Sequence, residues 1–142
     1  ISSTVTDRRH LKPGETFHFT AFPVAGGPHD PNPLTAGTYA EPFPDLPSGA
    51  SGPSRLRAVH SLEHGYVEIY YSALPPAQVQ SLVHSFGGTT KVIISPTPDL
   101  PSPIQLVAWG RVRNCASVDA HGIQEFLDAY RAARSAPEPN GP

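Results

Sequence analysis

The chain has 142 residues, a formal net charge of −2, 15% charged residues, 18 prolines and 12 glycines. A chain of this length buries roughly two thirds of its unfolded surface, enough for a core without staples, so one domain spanning residues 1–142 is expected. The balance of charge supplies no basic field to hold a phosphate backbone, which excludes the ordinary nucleic-acid binder, and no apolar run reaches the roughly 18 residues needed to span a membrane.

The sequence opens at Ile1 and contains no Met, as expected of a processed chain from which a signal peptide or anchor has been removed. Pro and Gly outnumber Lys and Arg, the composition of a loop-rich exported domain, so an extracytoplasmic setting is expected: secreted, periplasmic or membrane-tethered. The single Cys115 closes no internal disulfide and leaves the redox compartment open.

Residues 1–14 are polar and end in Lys12-Pro13-Gly14, a turn ahead of an alternating run. Across residues 16–22, Phe17, Phe19 and Ala21 fall on one face, the period-2 pattern of a half-buried strand, with His18 on the solvated face. Residues 23–57 contain eight prolines and no periodicity, so neither helix nor central strand is expected there. Loops of that length are either functional or disordered. The first half, with Gly27-Pro28-His29 and the aromatic Tyr39, is expected to be ordered; residues 47–54, small and polar, read as a flexible tip.

Residues 66–71 alternate as a strand, with Val67, Ile69 and Tyr71 on one face and Tyr66, Glu68 and Tyr70 on the other. Pro75-Pro76 opens a helix to about residue 86, with Val79, Leu82, Val83 and Phe86 at helical spacing and Gly87-Gly88 as the stop. Residues 91–95 form an apolar run suited to a strand buried on both faces, and a proline-rich bend leads to another strand at 104–109. A second helix is expected over 118–134, with Ile123, Phe126, Leu127 and Tyr130 as its stripe, and residues 136–142 read as a tail. This order predicts an α+β fold: a single mixed sheet, two helices packed on one of its faces, and a long Pro/Gly-rich loop insertion.

The chemistry concentrates at His60-Ser61-Leu62-Glu63-His64-Gly65. No nucleophile elbow, Walker loop or Gly-x-Gly-x-x-Gly turn is present, which disfavours serine hydrolysis and nucleotide cofactors. Cys115 has no nucleophile signature around it and is expected to pack as a small hydrophobe. His60 and His64, four apart, share a face whether the backbone is helical or extended, and neutral imidazoles so placed are a common half of a zinc or copper site. His29, on a loop stiffened by Pro and Gly, is a candidate third ligand. Glu63 would serve as orienter, ligand, or proton acceptor beside a metal-bound water. The same residues also suit a purely structural arrangement, with both histidines bonded to loop carbonyls and Glu63 paired with Arg55 or Arg57.

His60-Ser61-Leu62-Glu63-His64-Gly65 ahead of an apolar strand resembles the hallmark of a bacterial family of exported or membrane-tethered proteins, domain of unknown function family 3105. His10, Gly27-Pro28-His29, Gly37-Thr38-Tyr39, Ala108-Trp109-Gly110-Arg111 and Pro137-Glu138 fall where that family has them. The resemblance gathers His10, His29, His60 and His64 into one set, for which a shared metal gives a physical purpose, since ligation requires neutral imidazoles.

The expected function is therefore an exported metal-binding domain, holding copper or zinc on a histidine cluster, in metal handling or a redox-linked role. One alternative is a non-catalytic binding domain for a protein or other partner, its pocket lined by Tyr39, Tyr66, Tyr70 and Trp109. Another is a metal-dependent enzyme with Glu63 as general base.

Overall fold

A computed structural model describes residues 7–142; residues 1–6 of the polar opening stretch lie outside the described residues. Five strands, β1 (Gly37–Thr38), β2 (Val67–Tyr71), β3 (Val92–Pro96), β4 (Ile104–Ala108) and β5 (Arg111–Cys115), form one mixed sheet in the order β1-β3-β2-β4-β5. β2 pairs in parallel with β3, Glu68 opposite Ile93, and antiparallel with β4, Glu68 opposite Val107. The parallel pair needs a crossover, supplied by helix α2 (Pro76–Phe86). β4 and β5 form a hairpin closed by Trp109 and Gly110, whose φ of 73° is one that glycine adopts without strain.

α2 and α3 (Ala120–Tyr130) cover one face of the sheet, as the sequence predicts. Leu82 and Phe86 of α2 and Ile123, Phe126 and Leu127 of α3 meet Val67, Ile69, Val92, Ile94, Ile104 and Leu106 in one apolar layer. Each such side chain, fully buried, contributes about 1.5–3 kcal/mol.

The opposite face is also covered, which the expected pair of helices does not provide. A third helix, α1 (Arg55–Glu63), lies there with the loop, and Ala58, Leu62, Leu34 and Phe43 pack on Tyr66, Tyr70, Ile93 and Val107. α1 begins inside the stretch read as irregular. Its start is set by Ser54, whose hydroxyl caps Arg57 N–H at 3.2 Å.

Three further expectations are corrected. Residues 16–22 form no strand: Phe17, Phe19 and Phe22 pile on one another, with ring centroids 4.9 and 5.9 Å apart, and alternation without a partner strand gives no ladder. Helix α3 spans Ala120–Tyr130 and not 118–134, since Asp119 caps its start and Arg131 has already left helical geometry with ψ 124°. β5 lies where no strand is expected from the sequence, because Arg111, Arg113 and Asn114 give an edge strand little apolar pattern.

Candidate metal centre

The centre is built at the C-terminal end of α1, against the entrance to β2. His60 and Glu63 occupy its last turn and His64 is its C-cap, so His60 and His64 project from one face. Gly65 ends the helix with φ +83°, and a Cβ there would lie 2.7 Å from Ala132 Cα, so glycine is required on both counts. The loop is stitched onto α1: Asp30 N–H donates to Leu56 O at 3.2 Å, Leu34 N–H to Ser61 Oγ at 2.8 Å, and Arg57 Nη2 to Pro33 O at 2.9 Å. Buried Asp30 holds the turn, accepting from Asn32 N at 2.8 Å and Gly49 N at 2.6 Å.

This stitching brings His29 to the helix. An isolated parallel bridge then sets His10 beside His29, with Leu11 N–H donating to His29 O at 2.8 Å and His29 N–H to Arg9 O at 3.1 Å. The two ring centroids are 4.6 Å apart, and each lies 5.0 Å from His60. All four predicted histidines and Glu63 therefore meet.

The tautomers follow from the partners. His29 Nδ1 lies 2.8 Å from Gly27 O, His60 Nδ1 2.6 Å from Asp30 O and His64 Nδ1 3.2 Å from Pro142 O. A carbonyl oxygen only accepts, so each Nδ1 carries the hydrogen and each neutral ring presents a bare lone pair at Nε2. His60 Nε2 and His64 Nε2 then face each other at 3.0 Å, close enough to share one proton or one ion. His29 Nε2, in a residue 0% exposed, has no hydrogen-bond partner among the described residues. It lies 3.3 Å from Glu63 Oε2, but a neutral imidazole makes this contact no ion pair.

Burial disfavours the protonated forms of His29 and His60. Burial lowers the His29 pKa to about 4, reinforced by His60 and His10 and opposed by the Gly27 carbonyl. Burial likewise lowers that of His60, with His64 and His10 adding to the effect. The Glu63 carboxyl is pushed up to about 7, first by burial and next by its hydrogen bond with Glu138, while His10, 3.3 Å from Oε1, pulls the other way. The Glu138 carboxyl is lowered, chiefly by the same bond. Bare lone pairs converging on a buried carboxyl suit a cation. Two nitrogens bound about 2.0–2.1 Å from one zinc ion lie roughly 3 Å apart, the separation of His60 from His64.

Among the described residues, three triads have donor atoms within 4.8 Å of one another: His10, His29 and His60; His60, Glu63 and His64; His10, Glu63 and Glu138. Glu138 has no place among the sequence-predicted ligands. Its only signal is Pro137-Glu138, and residues 136–142, read as a tail, in fact fold over the site, with Glu138 N–H donating to Glu63 O at 2.8 Å. Other expected neighbours divide. Trp109 stands edge-on to His29, ring centroids 6.3 Å apart. Tyr66 and Tyr70 are buried in the layer under α1, with Tyr39 and Trp109 packed against it, and Tyr39 donates to Thr35 O at 2.6 Å. Arg57 is bonded to Gly52 and Pro33 carbonyls and Arg55 to Phe43, so Glu63 pairs with neither. His18 pairs with Asp45 at the surface. Cys115 is half-buried at the edge of the α2/α3 layer.

Among the described residues no helix is long and apolar enough to cross a membrane. No curated protein and no solved structure matches the chain. A family model described as protein of unknown function (DUF3105) matches residues 10–142, and the chain belongs to that family.

Proposed function

We propose that this chain is a metal-binding domain that holds one divalent ion, Cu(II) or Zn(II), on the cluster of His10, His29, His60 and His64 with Glu63 beside them, and that it acts in metal handling or a redox-linked role outside the cytoplasm. The observation that carries the reading is the face-to-face approach of two Nε2 lone pairs at 3.0 Å, each fixed by a carbonyl on the other ring nitrogen. Carbonyl-oriented imidazoles are the usual second shell of a metal-bound histidine. Imidazole with carboxylate is a borderline donor set, which favours zinc and Cu(II), and the chain has no Met for thioether capture of Cu(I). Any two of the three triads share a residue, which supports a single ion.

The test is a competition titration of untagged protein with Zn(II) and Cu(II), in wild type, His60→Ala, His64→Ala and the double variant. About one equivalent should bind to wild type. Either single substitution should lower affinity by about 100-fold or more, and the double should add little, since ligands acting as a unit are not additive. Bound Cu(II) should also quench Trp109, given its contact with His29. Equal affinity in all four proteins would end the metal reading.

One observation favours a second reading, metal-assisted hydrolysis: the Glu63 pKa of about 7 is that of a useful general base. It requires that zinc-loaded protein cleave an activated ester and that Glu63→Gln abolish the cleavage.

A further inference from the structure

We infer that Glu138 is a further ligand of this site, delivered by residues 136–142 acting as a closing strap, so that metal capture and strap docking are one equilibrium. The inference rests on the metal-binding reading above.

The strap is anchored without the help of any ion. Ala136 is buried, Glu138 N–H donates to Glu63 O at 2.8 Å, and Lys91 Nζ donates to Pro139 O at 2.7 Å and to His64 O at 2.8 Å. Gly141 lies flat on the His64 ring, where a Cβ would come 2.6 Å from Cγ and Nδ1. These contacts fix the path of the backbone past the end of α1. None of them calls for an acid at position 138.

Yet that position puts a second carboxyl within 4.8 Å of buried Glu63 and of His10. Without an ion the two carboxyls are held together by one shared proton, the hydrogen bond between them; once both ionise they repel, more strongly as water is excluded. A cation shared by the two carboxyls reverses the sign. His29 Nε2, wholly buried, 3.3 Å from Glu63 Oε2 and without a hydrogen-bond partner among the described residues, points independently to a cation beside the same carboxyl.

The strap also acts at a second point. The Pro142 carbonyl accepts from His64 Nδ1 and so turns the His64 Nε2 lone pair toward His60. Docking therefore completes the donor set twice, by adding an oxygen ligand and by orienting a nitrogen one. An ion that binds the docked form more tightly must stabilise docking by the same factor, because linkage is reciprocal. The added carboxylate oxygen selects for Zn(II) or Cu(II) over a soft monovalent ion.

The experiment pairs hydrogen exchange with Zn(II) competition titration on the whole chain: wild type, Glu138→Gln and Lys91→Met. Pro137, Pro139 and Pro142 have no amide, so Glu138, Asn140 and Gly141 report the strap, while the amides of β2 and β3 report whether each variant is folded. In wild type, Zn(II) should raise strap protection about fivefold or more. Glu138→Gln should lower affinity about tenfold or more. Lys91→Met, which leaves every donor in place, should weaken both apo strap protection and affinity. Bound metal with strap exchange unchanged, or wild-type affinity in both variants, overturns the strap and leaves the metal site standing. Failure of wild type to take up Zn(II) or Cu(II) overturns the metal reading and the strap with it.

Discussion

The same strands present two unlike faces. Beneath α2 and α3 the buried layer is built from apolar side chains, from Val67 to Leu127. Toward α1 the alternate positions of β2, β3 and β4 include Glu68, Tyr70, Ser95 and Gln105, all buried, and the end of α1 adds His60, Glu63 and His64. The first face excludes water and sets the fold; the second keeps polar groups dry, which is unfavourable for each group left without a partner. Glu68 shows this most plainly: one oxygen accepts from Tyr70 at 2.7 Å, while the other has no hydrogen-bond partner among the described residues. Stability and chemistry are thus assigned to opposite sides of one sheet.

The largest effect should come from the apolar face. Phe126→Ala removes a ring 2% exposed and should destabilise by about 3–5 kcal/mol in urea unfolding of the apo protein, with Zn(II) affinity unchanged as long as the variant is folded. A parallel loss of affinity would break the separation of the two faces.

The next effect has the opposite sign. Burial raises the Glu68 pKa to about 8, so the folded state holds a proton that the unfolded state releases near the ordinary carboxyl value of 4.5. Its contribution is fully present below that value and is lost as pH rises toward about 8. Glu68→Gln, which keeps an acceptor for Tyr70, should match wild type near pH 4 and exceed it by about 3 kcal/mol at pH 7. Denaturant midpoints across that range give the difference directly; parallel curves would mean that Glu68 is not protonated in the fold.

The smallest effect calibrates the others. His18 is paired with Asp45 at the surface, its side chain 71% exposed, so His18→Ala should change stability by no more than about 0.5 kcal/mol and leave metal affinity alone. A larger change in affinity would show that exposed histidines contribute to the titration, and would sharpen the contrast with His60.

Much of the apolar face is legible in the sequence. β2, β3, β4 and the centres of α2 and α3 follow from runs whose period is set by burial, such as Val67 and Ile69 against Tyr66 and Tyr70. β1 and β5 are not, because a two-residue strand and a polar edge carry almost no period. The run at 16–22 misleads for the complementary reason: its rings alternate, but they find each other instead of a neighbouring strand. At the site, His60, Glu63 and His64 are visible as neighbours on one helical turn. His29 is a candidate from its Pro/Gly-stiffened loop, whereas His10 comes in only through family resemblance, since the bridge that joins it to His29 is a long-range pairing. Glu138 is least legible, because what places it is a backbone bond to Glu63 O and the distant Lys91 ammonium on the His64 and Pro139 carbonyls, none of which marks position 138 in the sequence.

The donors at the end of α1 come from segments far apart in the chain: residue 10, residue 29, one turn at 60–64 and residue 138. An ion joining them would act as a cross-link, closing several long loops at one point and restricting the unfolded chain much as a set of disulfides does. A sequence with a single cysteine cannot form such bonds within itself. Unlike a disulfide, this closure would open to a chelator with no covalent bond reduced.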